Sequence, residues 1–157
     1  MDINQFKQSL RTLFTEAVDG PPNPKETWFT SNEAGSGMLG TISKLTSEQA
    51  SKKPNGAAHS IAEHAAHIAF SFRTGLQYAS GDFSPVDWSK SWETGKLDQA
   101  RWSAIQNEIR ANWQKLLQFM DEKESFTDIN SITGFCGTIA HTAYHLGAIR
   151  TMLPMFR

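Results

Sequence analysis

Cysteine is nearly absent from this sequence: among 157 residues, Cys136 is the one thiol. A single cysteine excludes an intramolecular disulfide framework and fits a reducing compartment. Excess charge is missing as well, with 15 Lys and Arg against 16 Asp and Glu and a net charge of −1. That balance leaves no electrostatic footprint for nucleic acid or for an anionic membrane surface. No apolar run is long enough to cross a bilayer. The opening stretch MDINQFKQSLRTLF has polar residues where a secretory signal needs a continuous apolar core. Alternating strand-like runs, internal repeats and low-complexity tracts are also lacking. So are Walker and Rossmann glycine patterns, a nucleophile elbow and zinc-ribbon spacing. These absences predict a cytoplasmic, all-α protein whose length suits one domain over residues 1–157.

What the sequence does hold is helical periodicity. Ile3, Phe6, Leu10, Leu13, Phe14 and Val18 recur at helical spacing behind Asp2, a candidate N-cap, until GPPNP at 20–24 stops them. A short helix is expected from Gly37 to about Leu45, with Gly35, Gly37 and Gly40 suited to close packing on a neighbour. Thr46 to Ala50 reads as a capped turn. The next helix runs from Ser60 to about Tyr78 and opens on the Ser60–Glu63 capping-box pattern. The connection from Ser80 to Thr94 carries Phe83, Trp88 and Trp92, and an aromatic loop of that length packs over something or closes a cleft. A fourth helix from Asp98 to Met120 has Trp102, Ile105, Ile109 and Trp113 on its apolar seam. A polar linker, Asp121 to Asn130, leads towards the last helix, read from Gly137 to Leu153. The fold expected is an all-α, up-down four-helix bundle with an additional N-terminal helix.

Chemistry concentrates in the last helix. His141 and His145 are four residues apart, which puts both imidazoles on one helical face at the border of the apolar stripe. His64 and His67 lie on the helix begun at Ser60, about 60° apart in projection at roughly 100° per residue. If the two helices face each other, one of that second pair can meet His141 and His145. Three neutral imidazoles would leave a coordination position open, the catalytic rather than the structural pattern for zinc. For proton transfer the nearby candidates are Glu63, already suited to capping, and the acids of 82–93. Cys136 reads as a small buried residue just ahead of the last helix. Arg150 suits a carboxylate partner or a carbonyl cap.

Two segments carry a resemblance. Residues 60–68, SIAEHAAHI, and 141–150, HTAYHLGAIR, resemble the S-I-x-E-x-x-x-H and H-x-x-x-H-x-G-x-I patterns of the DinB-like family, also described as YfiT-like. The likeness runs from about Ser36 to Leu153, and His59 stands where the family often has Trp. It implies a four-helix bundle, commonly a homodimer, that binds a divalent ion through three histidines. Those would be His67, His141 and His145, with His64 as their neighbour. It further implies a metal-dependent enzyme for a small-molecule substrate, with transfer of a low-molecular-weight thiol as the first reaction to consider. Zinc or nickel is the foremost metal, and manganese or iron is compatible. A metal-dependent hydrolase and a non-catalytic bundle for interaction or sensing are the alternatives.

Overall fold

The computed structural model describes residues 2–122 and 128–156. They form six α-helices: α1 (Ile3–Val18), α2 (Met38–Ile42), α3 (Ser47–Ser51), α4 (Ile61–Ala79), α5 (Gln99–Glu122) and α6 (Ile129–Met152), with 3-10 turns at Trp88–Trp92 and Leu153–Phe156. No strand occurs among the described residues. Side-chain caps set the helix starts by accepting otherwise unpaired amides. Asp2 accepts from the Asn4 amide, and complete capping boxes close at Thr46–Gln49 and Ser60–Glu63.

One boundary departs from the sequence reading. Asp128 caps α6 at the amides of Asn130 and Ser131, so the helix begins at Ile129 rather than Gly137. Gly134 and Gly137 are carried inside it, on a side of the helix that borders a cavity. Cys136 therefore lies within α6, not ahead of it, and it is exposed rather than buried. The buried positions there are Phe135 and Ile139, and the step of about 100° from Phe135 turns Cys136 off their stripe. Of the polar linker read at Asp121 to Asn130, residues 121–122 complete α5, and 123–127 lie outside the described residues.

The four long helices pack as an all-α bundle. α4 lies against α5 and α6, and α1 lies against α6 and α5, so α1 and α4 occupy one diagonal. The helix read as additional is thus a full wall of the bundle. Phe14 of α1 reaches its centre and meets Phe72 and Phe135 edge-on, at ring-centroid distances of 5.3 and 5.6 Å. Trp102, Ile105 and Ile109 are buried, as their spacing predicted, and the Trp102 indole donates to the Leu45 carbonyl at 2.9 Å. No described helix is long and apolar enough to cross a membrane.

Helix direction decides where the connections must run. The start of α5 lies beside the chain just ahead of α4, since the Ser47 amide donates to Gln99 and the Trp102 indole to Leu45. The end of α5 shares a cavity wall with Gly75 and Tyr78 at the end of α4. The two helices are therefore parallel. α1 runs against α5, with Arg11 paired to Asp121 and Arg110 near Asp19. A parallel pair requires the chain to return along the full length of α4, about 28 Å at ~1.5 Å per residue. Residues 80–98 make that return, and they lay the Trp88–Trp92 turn on α4.

The approach to α2 is pinned from two sides. Glu16 of α1 is fully buried, and its Oε1 accepts from the amides of Trp28, Phe29 and Thr30 at 2.7–2.9 Å and from the Thr30 hydroxyl at 3.0 Å. Burial pushes its pKa up, but these hydrogen bonds outweigh it and hold the carboxyl below the usual range. Arg150 donates to the carbonyls of Ser36 and Phe29, the capping role among those expected for it. Close glycine packing is also present, because a Cβ at Gly40 would stand 2.1 Å from the Gly35 carbonyl oxygen. A Cβ at Gly147 on α6 would meet nothing within 4 Å. Gly40→Ala should therefore lower stability by about 1–3 kcal/mol through overpacking. Gly147→Ala should be neutral or stabilising by up to ~1 kcal/mol. Denaturant melts of the two variants check this, and equal shifts would show that the α2 contact is no constraint.

Candidate metal centre

α4 and α6 run antiparallel, so the first turns of α4 face the second half of α6. His64 lies beside His145, and His67 beside His141. His67 and His145 are buried, and His64 and His141 are half-buried. The ligating nitrogens of His67, His141 and His145 all lie within 4.8 Å of one another. His141 Nε2 stands 3.0 Å from His67 Nε2 and 2.9 Å from His145 Nε2.

Each ring is also held from outside. His67 Nδ1 meets the Ser91 hydroxyl at 2.7 Å, His141 Nδ1 meets Ser71 at 3.3 Å, and His145 Nδ1 meets His64 Nδ1 at 2.8 Å. Ser91 fixes one tautomer. Its hydroxyl proton goes to the Trp88 carbonyl at 2.6 Å, so towards His67 it accepts, and His67 carries its proton on Nδ1. The lone pair of His67 Nε2 is then directed at the other two rings. One proton on His141 Nε2 would have to be shared between two neighbours, whereas a cation could take all three lone pairs. The donor set fits a first-row divalent ion, which reaches imidazole nitrogen at about 2.0–2.1 Å. Outer-ring hydrogen bonds of this kind orient metal-ligating histidines. The cluster could hold a metal ion.

The aromatic connection covers it. Trp92 stacks on His67 at 4.0 Å and 10°, and on its other face against His59 at 3.7 Å and 13°. Ser91 is buried beside it. The return from α4 to α5 is what delivers both residues, in line with a loop that packs over something.

From the histidines a cavity of about 870 Å³ extends between α4, α5 and α6 towards the end of α4. His67 and His141 form one end of it, while Asp128, Asn130 and Ser131 line it at the start of α6. Not every candidate from the sequence reaches this place. Glu63 is occupied by the Ser60 amide at 2.6 Å. Asp82 accepts from the Ser84 amide, Asp87 accepts from Ser89, and neither lines the cavity. Cys136 is outside it too. Ser71 and Ser91 are contributors that the sequence reading passed over. Ser71 lies four residues after His67, on the same helical face, and that spacing was a usable signal. Nothing local marks Ser91, which arrives through the crossover.

A family model described as the DinB superfamily matches residues 32–149, most of the chain and both histidine-bearing helices. This chain belongs to the DinB superfamily. Comparison with curated proteins and with solved structures gives no match. The matched span begins after α1, although in this DinB-superfamily chain α1 forms a wall of the bundle.

Burial depresses the basicity of all four rings in the DinB cluster. It brings His67 down to about 4, helped by the neighbouring His141, His64 and His59. His145 comes down to about 3, by burial first and then by the adjacent imidazoles. His64 and His141 are lowered as well, again with burial as the leading cause. The rings are thus neutral near pH 7, the state that can donate a lone pair. Folded-state pKa values below the unfolded 6.5 mean that the unfolded chain binds more protons as pH falls. Stability from these groups is intact above about 6.5 and is lost as pH drops towards the range of about 3 to 4. The metal-free protein should melt at a lower temperature at about pH 4.5 than at about pH 7.5, and His145→Gln should flatten that dependence. Parallel curves for wild type and variant would contradict the assignment of the proton uptake to the cluster.

Proposed function

We propose that His67, His141 and His145 hold a divalent ion and that the protein is a metal-dependent enzyme acting on a small molecule, with thiol transfer as its reaction. The observation that carries this reading is the convergence of three Nε2 atoms whose outer nitrogens are already engaged. Three imidazoles with no fourth ligand among the described residues make an open site, and zinc and nickel are among the ions that imidazole nitrogen suits. Such an ion supplies Lewis acidity that lowers the pKa of a coordinating thiol into the neutral range. The chain's own part is to orient and to exclude water. Ser91 and Ser71 fix the ring orientations of His67 and His141, and Trp92 shields the face of His67.

The carboxylate positions favour thiol chemistry over hydrolysis. Activation of water is usually assisted by a nearby general base. Among the described residues, the one acid lining the cavity is Asp128, which is committed to the amides at the start of α6. Glu63 is committed to its capping box. An ionising thiol makes less demand on such a base, because its proton is lost more readily than that of water.

Metal analysis of protein purified without an affinity tag should find about one ion per chain in wild type and little in His67→Ala. Ser91→Ala should retain the fold but bind the ion about 10–100-fold more weakly, as expected when an outer partner of a ligating histidine is lost. Metal content that is unchanged in His67→Ala would overturn the site. Turnover that proceeds without added thiol would transfer the assignment to a hydrolase, and a metal-free, inactive wild type would leave a non-catalytic bundle.

A further inference from the structure

The cavity beside the histidines is mostly apolar, and its polar lining is neutral apart from Asp128, which caps α6. Tyr78, Phe83, Trp88, Leu116, Phe119 and Phe135 are its large apolar lining residues. Among the described residues no Lys or Arg lines it. Arg73, on α4, is turned away to an ion pair with Glu108 and lies over the Phe70 ring. An anionic ligand placed here would lose part of its hydration against mostly apolar walls, beside the Asp128 carboxylate and with no guanidinium or ammonium group to replace the lost water.

The space is kept open by residue choice. Gly134 and Gly137 line it from α6, and a Cβ added at either would meet nothing within 4 Å. Each glycine inside a helix costs up to ~1 kcal/mol relative to alanine. Neither has the positive φ that would require glycine for the backbone. Elsewhere the bundle core is filled, with Phe14, Phe72, Trp102 and Ile109 fully buried. The void adjoins His67 and His141, and its volume of about 870 Å³ lies within the range of small-molecule sites.

We propose that this cavity binds an uncharged, predominantly apolar small molecule, aromatic or alkyl in body, whose polar end lies at His67 and His141. The assignment deepens the metal-dependent reading of the same site and rests on it for the role of the polar end. It selects neutral thiols and neutral electrophiles over thiols that carry carboxylates. The hydroxyls of Ser71, Thr74 and Thr138 line the same cavity and offer hydrogen bonds without charge.

Two fluorescent probes that share an aromatic frame test the proposal: neutral N-phenyl-1-naphthylamine and its sulfonated relative 8-anilinonaphthalene-1-sulfonate. Both are titrated into full-length protein stripped of metal by chelator. The neutral probe should bind saturably at about one per chain, and the sulfonate at least ~10-fold more weakly. Gly137→Leu and Gly134→Leu each place a side chain in the void and should weaken the neutral probe at least ~10-fold, with circular dichroism verifying the fold. Should one of the two fail to fold, the other reads the same volume. Absence of saturable binding, equal affinity for both probes, or indifference to both folded leucine variants would overturn the proposal. Metal content is measured in parallel on metal-replete wild type and His145→Ala. Loss of the ion in that variant alongside failed probe binding rejects the ligand class alone. Successful probe binding with metal content indifferent to His145→Ala rejects the metal reading instead.

Discussion

Unpaired imidazole nitrogens are costly to bury, and in the cluster of His67, His141 and His145 this constraint draws three parts of the chain together. Leaving one polar group unpaired in an apolar interior costs roughly 1–3 kcal/mol. Both nitrogens of His67, of His141 and of His145 have a neighbour at hydrogen-bond distance. Meeting that condition takes side chains from three places: α4, α6 and the crossover turn that supplies Ser91. The antiparallel pairing of α4 and α6 brings the rings together at tilted and edge-on angles. Burial then keeps them neutral, because a charged imidazolium there would face other rings rather than a carboxylate.

Topology provides what helix packing alone would not. If α4 and α5 were antiparallel, a short turn would join them and the histidine face of α4 would be left to solvent. Because they are parallel, the chain must travel the length of α4 again, and it uses the journey to lay Trp88, Ser91 and Trp92 over the cluster. His59 joins from the segment just before α4 and completes a stack of three rings, His59, Trp92 and His67. The same turn thus encloses the site and orients one of its histidines.

The sequence was legible wherever a rule acts within a turn of helix. The four-residue spacing of His141 and His145, the capping box at Ser60 and the apolar seam at Trp102 all correspond to observed features. It was less legible where the partner lies far along the chain. Projection angles put His64 and His67 near one face, and the family pattern, not the geometry of a lone helix, singled out His67. The pair then takes different stations, His67 turning Nε2 towards His141 while His64 meets the outer nitrogen of His145. The start of α6 was misplaced because Gly134 and Gly137 lower helix propensity, which a sequence reading must count against a helix. The membership of α1 in the bundle was hidden because Phe14 declares its role only when Phe72 and Phe135 are beside it.

Those two glycines show how local and global demands part company. A helix selected for stability alone would place alanine or leucine at both positions, gaining propensity and filling the void in one substitution. The observed helix does neither. It recovers its register from the Asp128 cap, from Phe135 at the cavity's edge, and from Ile139 and Leu146, which are buried away from the cavity. Stability is thus drawn from one side of α6, while the other side is left thin where it runs up to His141 and on to His145. The glycines, the histidines and the crossover aromatics act on the same few turns of α4 and α6. Relaxing any one of them would make the helix better packed and the site smaller. The geometry is most simply understood as a bundle end in which packing has been given up to keep space beside a neutral, convergent donor set.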